Sequence, residues 1–226
     1  MLYNNNEKSM GFRSQKLAGP GRLITLEGID GTGKTTQISS LASAIRKQDI
    51  SVLELREPGG TAIGEAIRRI LLDNRNTGMC SESEMLLFAA ARAQLVREVI
   101  RPALAAGTWV VCDRFSDSTL AYQGYGRGAD LEIIEKINNL AVGSCRPDRT
   151  VLLDLSPDAA LERLGRRPDK ADRLDIEGRT FMKRVREGYL AIAAGEPQRF
   201  IVVDAGQPAR ALAQEIFSKI WGGLGI

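Results

Sequence analysis

The 226 residues carry a formal charge of +3, with 43% hydrophobic and 26% charged side chains, a balance that suits one α/β domain, with room for small insertions, and a core of ordinary size. So small an excess gives no argument for nucleic acid, and no apolar run approaches the roughly 20 residues of a membrane span, so neither partner is expected. The chain has no histidine, which removes Ser-His and Cys-His nucleophilic schemes and histidine metal sites together, and its three cysteines (Cys80, Cys112, Cys145) lack metal-type spacing and read as reduced packing residues of a cytoplasmic protein.

Residues 1–20 lack the apolar centre of a signal peptide and read as a disordered arm, or as sequence upstream of a later start at Met10. Arg22–Glu27 is short, apolar and β-branched, a buried strand that runs into glycine. Helical spacing follows over Lys34–Gln48, then a second strand at Ser51–Leu55 and an amphipathic helix over Thr61–Leu72. Glu82–Ile100 predicts a long helix that Pro102 bends or ends. A third strand, Thr108–Asp113, precedes helical patterns at Ser116–Gln123 and Asp130–Val142. Thr150–Leu155 and Phe200–Asp204 are the fourth and fifth strands. Between them lie a helix from Pro157, a charged stretch Gly165–Asp175 expected to be mobile, and a helix around Gly178–Ala194. Pro208–Trp221 closes the chain as a helix. Five apolar strands separated by helices argue for a parallel sheet covered on both faces, within one domain over 21–226.

Gly28-Ile29-Asp30-Gly31-Thr32-Gly33-Lys34-Thr35 matches G-x-x-x-x-G-K-[ST] between a predicted strand and a predicted helix, the context this phosphate-binding loop requires. Glycines let successive backbone N–H groups turn toward an anion, and the new helix adds its own unsatisfied donors. Residues 28–36, from Gly28 through Thr36, are therefore expected to cradle the phosphates of a nucleoside triphosphate. Lys34 brings a cation to the β- and γ-phosphates, and the Thr35 hydroxyl suits a magnesium ion. Asp30 fits badly in an anion-binding loop: it either faces solvent or, the favoured reading, points away to a second substrate. Asp113-Arg114 ends the third strand, where ligands collect in open α/β sheets. Asp113 is placed to hold magnesium and Arg114 to bind a phosphate, unless the two simply cap the strand as an ion pair.

From here a family resemblance becomes specific. Val111–Gln123 (VCDRFSDSTLAYQ) resembles the signature of thymidylate kinases, which phosphorylate dTMP. Arg56–Thr61 (REPGGT) is similar to a segment of the bacterial branch, Phe88–Arg92 (FAAAR) to the base-binding helix, and Arg146-Pro147-Asp148 to the turn before the next strand. The resemblance spans about Arg22 to the C-terminus. It implies a P-loop kinase fold with a small mobile lid at about 165–176, ATP and dTMP as substrates, Mg2+ as cofactor and a homodimer packed through helices.

It also implies roles. Phe88 would stack on thymine, with Arg92 one turn later at the base edge. Read without the family, the pair would be a core side chain and a solvated charge. Thr119 would hydrogen-bond the base, with Gln123 beside it in the dTMP site. Tyr122 would crowd the sugar 2′ position and Asp30 would accept from the 3′-hydroxyl. Arg56 and Arg114 would bind the acceptor phosphate. Thr32 stands where an arginine could have added charge, so Arg166, Arg167 and Arg173 of the charged stretch are lid candidates, with Arg167 and Arg173 favoured as catalytic; the bland alternative is a solvated face balanced by nearby aspartates. The acceptor would be a phosphate already largely ionised near neutral pH, so the lack of histidine carries no penalty for this chemistry.

Overall fold

A computed structural model describes residues 20–165 and 178–224. Five parallel strands form its sheet, in the order β2-β3-β1-β4-β5. The strands are β1 (Leu23–Glu27), β2 (Val52–Arg56), β3 (Trp109–Asp113), β4 (Arg149–Asp154) and β5 (Phe200–Asp204). Every described strand expected from the apolar runs is present, within two residues at either end. Lys34–Arg46 forms α1, Ala62–Leu72 α2, Ser81–Leu95 α3, Arg101–Ala105 α4, Ser116–Thr119 α5 and Leu131–Val142 α6. Three more follow: α7 (Pro157–Gly165), α8 (Arg179–Gly195) and α9 (Ala209–Gly223).

Strand alternation divides the core in two. Ile24, Leu26 and Val111 pack with Ile38, Leu41 and Ile45 of α1 and with Leu212 and Ile216 of α9. Leu23, Val110 and Cys112 face the other way, toward Leu95 at the end of α3, Val96 and Ile100 after it, and Val142 of α6. The central strand β1 is therefore buried on both faces, which is why its sequence is apolar up to Glu27 apart from Thr25, whose hydroxyl meets that of Thr150 at 2.9 Å. Asp148 sets the start of that strand: its carboxylate accepts from the Leu23 N–H at 2.8 Å and from Arg22 at 2.7 Å.

Two helical readings change. The long helix does not stop at Pro102 but runs to Ala105 through a π turn at Val96–Ile100. The wider turn lies one step before the proline, where a normal helical register would demand an N–H that Pro102 lacks. Ser116–Gln123 is likewise a short α segment followed by a π stretch, Leu120–Gly126. That stretch carries Tyr122 and Gln123, and π turns collect at functional sites. The expected lid arginines Arg166, Arg167 and Arg173 lie outside the described residues, as do residues 1–19.

Candidate active site

The loop between β1 and α1 is built from backbone. Gly28 (φ 138°) and Gly31 (φ 87°) occupy backbone regions that favour glycine, and a Cβ on either would stand 2.6 Å from a carbonyl oxygen, of Leu153 and Ala160 respectively. Gly33 caps α1 in the left-handed conformation with no side-chain hydrogen bond, so the first N–H groups of the helix stay with the loop. The Thr32 hydroxyl is turned inward onto the Ile29 carbonyl at 3.0 Å, while Thr35 and Thr36 are exposed. Lys34 Nζ donates to the carbonyls of Gly28 and Ile29, both at 3.1 Å. Burial and the nearby Arg114 lower the Lys34 pKa, against Asp30 and Asp113. At the end of β3, Asp113 Oδ2 accepts from Thr35 Oγ1 at 3.4 Å, and its buried Oδ1 has no hydrogen-bond partner among the described residues. An orphaned carboxylate oxygen beside a threonine hydroxyl fits a magnesium ion or its water. No group of three carboxylate or thiol ligands occurs among the described residues, and magnesium in nucleotide sites needs none, because phosphates and water complete its shell.

Asp30 leaves the loop sideways. Its carboxylate accepts from Arg114 Nη2 at 2.7 Å and from the Tyr122 hydroxyl at 2.8 Å, with Lys34 Nζ 4.0 Å away. Burial pushes its pKa up, but Arg114 and Lys34 overcome that and hold it well below the usual carboxylate range. It lines a cavity of about 100 Å³ together with Phe88, Arg114, Thr119, Tyr122 and Gln123. Six of the residues expected around an acceptor nucleotide thus meet at one place, from three separate segments of chain. Phe88 is half-buried at this wall and not a core side chain.

The other two expected acceptor residues stand outside the lining. Arg56 forks onto both oxygens of Glu65 at 3.1 Å and onto the Pro58 carbonyl at 3.2 Å. Arg92 is 1% exposed, which excludes a solvated charge. Its guanidinium donates to Glu57 (2.8 Å), Thr119 Oγ1 (3.0 Å), Asn138 Oδ1 (2.8 Å) and the Phe115 carbonyl (3.0 Å). It meets the cavity through Thr119, whose hydroxyl proton it leaves for another acceptor.

Sequence reasoning missed Arg68, Ser118, Glu27 and Tyr189. Arg68 and Ser118 line the same cavity, and Arg68 shares the Pro58 carbonyl with Arg56. Glu27 is fully buried, and burial, then Asp117, pushes its pKa up to about 7 against Arg114, Ser118 and Tyr189. A carboxylate ending an otherwise apolar strand was the available signal; nothing in the helical pattern of α8 marks Tyr189. A larger cavity of about 180 Å³, bordered by Asp117, Asn138, Arg146 and Arg199, contains no phosphate-loop residue.

Comparison with known proteins identifies the family. The family model described as thymidylate kinase matches residues 26–216. A thymidylate kinase of Desulforudis audaxviator is 51% identical over 201 residues, covering 88% of this chain and 90% of its own. That of Geobacter sulfurreducens is 48% identical over 201 residues, covering 87% and 94%. The crystal structure of thymidylate kinase from Ehrlichia chaffeensis superposes with a TM-score of 0.73 at 33% identity, over 89% of this chain and all (100%) of that one. A family model over residues 26–216 and relatives matched over most of their length agree, and the chain belongs to the thymidylate kinase family.

Proposed function

We propose that this cleft transfers the γ-phosphoryl group of ATP to the 5′-phosphate of dTMP, giving ADP and dTDP. An oxygen of the acceptor phosphate forms the new bond to phosphorus, the bond to the bridging β–γ oxygen breaks, and its electron pair leaves with ADP. The observation that carries the reading is Asp30: a residue of the donor loop whose carboxylate faces Arg114 and Tyr122 in a second cavity. Positioning and charge neutralisation suffice for such a reaction, because the acceptor oxygen is already ionised.

The loop N–H groups and Lys34 hold the donor phosphates, with Lys34 exchanging its carbonyl contacts for phosphate oxygens. Arg114 takes the acceptor phosphate, Phe88 the thymine face and Thr119 and Gln123 the base edge. Asp30 and Tyr122 frame the sugar. Thr35 and Asp113 would hold Mg2+, which supplies charge neutralisation across the donor phosphates. Arg167 and Arg173 are the proposed source of further positive charge from a lid over 165–176. No helix among the described residues is long and apolar enough to cross a membrane. The free cysteines support a reducing, cytoplasmic setting. Helices α2, α3 and α6 carry exposed Ile63, Ile70, Leu86, Ile133 and Leu140, which supports a helix-packed homodimer.

The test is to measure ADP formation from Mg·ATP with dTMP, dUMP, dGMP, dCMP and AMP in turn. The reading expects dTMP to be the preferred acceptor; a clear preference for another monophosphate removes the base assignment, and hydrolysis without transfer removes the kinase reading.

A further inference from the structure

Glu27 ends β1 directly before the phosphate loop, yet its hydrogen bonds go to the segment after β3 and to α8. The carboxylate is 0% exposed and accepts from the Phe115 N–H at 2.7 Å, Ser118 Oγ at 2.6 Å and the Tyr189 hydroxyl at 2.8 Å. It takes part in none of the ion pairs of the described residues. A buried carboxylate held only by neutral donors lowers stability relative to an apolar or neutral side chain, so packing alone gives no reason for it.

Its partners supply one. Arg114 Nη1 donates to the same two hydroxyls, Ser118 at 3.3 Å and Tyr189 at 3.2 Å. A guanidinium only donates and Glu27, in its ionised form, only accepts, so in that form the order of donation is fixed: Arg114 to the hydroxyls, and the hydroxyls, directly or through each other, to Glu27. An acceptor-only group at the far end keeps the hydroxyl lone pairs turned to Arg114. Arg114 itself sits at φ 69°, a left-handed conformation that is strained for a residue with a side chain. The N–H of the next residue, Phe115, is the one bound to Glu27, so the carboxylate grips both the turn and the fork that the turn presents.

We infer that Glu27 is a positioning residue for the acceptor phosphate: through Phe115, Ser118 and Tyr189 it fixes the Arg114 guanidinium relative to the donor loop that begins one residue later. This rests on the reading of Arg114 as the acceptor-phosphate anchor. Because Glu27 belongs to the strand that carries the loop, it ties the two phosphate sites to one piece of backbone. Glutamine has the same shape but presents N–H to hydroxyls already accepting from Arg114, which reverses one link of the relay.

The experiment measures kcat and both KM values for the wild type, Glu27→Gln, Tyr189→Phe, their combination and Arg114→Ala, with thermal unfolding in parallel. Glu27→Gln and Tyr189→Phe are expected to raise the dTMP KM by about 10-fold, the loss of a hydrogen bond to a charged group. The ATP KM should move less than about 2-fold, and the combined variant should be little worse than either single one, as for members of one network. An unchanged dTMP KM in Glu27→Gln, equal rises in both KM values, or multiplying effects would overturn the inference. If Glu27→Gln fails to fold, Tyr189→Phe, which removes a single oxygen, decides on the same criteria. Arg114→Ala separates the two claims. Should it leave the dTMP KM unchanged, the anchor reading fails as well; should it raise that KM while Glu27→Gln does not, only the positioning role fails.

Discussion

The two ends of the cleft are made of different material. The donor end is backbone: glycines with positive φ, the start of α1, which no side chain caps, and one lysine, all within eight consecutive residues. The proposed acceptor end is side chains: Asp30, Phe88, Arg114, Thr119 and Tyr122, delivered by three stretches of chain, with Asp30, Arg114 and Tyr122 fixed by charge-assisted hydrogen bonds. A backbone cradle recognises any polyphosphate, whereas a constellation of side chains can distinguish one nucleoside monophosphate from another. Affinity for phosphate and choice of substrate are therefore separable in this molecule, and substitutions should separate them.

The largest expected effect lies behind the acceptor wall. Arg92→Ala leaves Glu57 as a buried carboxylate without its ion pair, which should cost about 3–5 kcal/mol of stability. Denaturant unfolding checks this; a loss below about 1 kcal/mol would show that Arg92 is not the hub of that wall. At the donor end, Lys34→Ala removes the loop's cation and should lower kcat by about 100- to 1,000-fold without a matching rise in the dTMP KM. Single-turnover kinetics with ATP at saturation reads it. A selective loss of dTMP binding would blur the division between the ends.

Glu27 gives a pH signature. Its pKa is raised from 4.5 to about 7 in the folded protein, so the folded state holds more protons than the unfolded chain between those values. Stability from this group is full below about 4.5 and is lost as pH rises through about 7, by up to about 3 kcal/mol. Glu27→Gln should flatten that part of the stability curve, as followed by unfolding at pH 5, 6, 7 and 8 at fixed salt; an unaltered slope would assign the proton elsewhere. The smallest effect concerns selectivity. Tyr122→Ala should narrow the preference for dTMP over its ribo counterpart, by about 10-fold for loss of a steric and hydrogen-bonding wall. An unchanged ratio of kcat/KM values would remove Tyr122 from sugar discrimination.

The same contrast explains what was legible in the sequence. The strand order needs three dimensions, but the five apolar runs and the glycine pattern of residues 28–35 mark elements and donor loop directly, because local backbone requirements leave local traces. Asp30 was informative by being misplaced: a carboxylate among phosphate ligands was read as pointing away to a second substrate, and in the structure it turns onto Arg114 and Tyr122. Phe88, Thr119 and Gln123 were found through family resemblance, since their helical spacing alone fits an ordinary core. Tyr189 reaches Glu27 across 162 residues of chain, and no periodicity records such a contact. Arg92 was expected at the base edge, yet its four protein acceptors show a side chain that shapes the wall from behind, through Thr119.

Asp30 belongs to both ends, and it provides the most direct test. Steady-state kinetics of Asp30→Ala, with ATP and dTMP varied independently, should show the dTMP KM rising about 10-fold or more while the ATP KM changes less than about 2-fold, because the carboxylate serves the acceptor cavity from within the donor loop. Equal changes in both constants would contradict the account and return Asp30 to the donor loop alone.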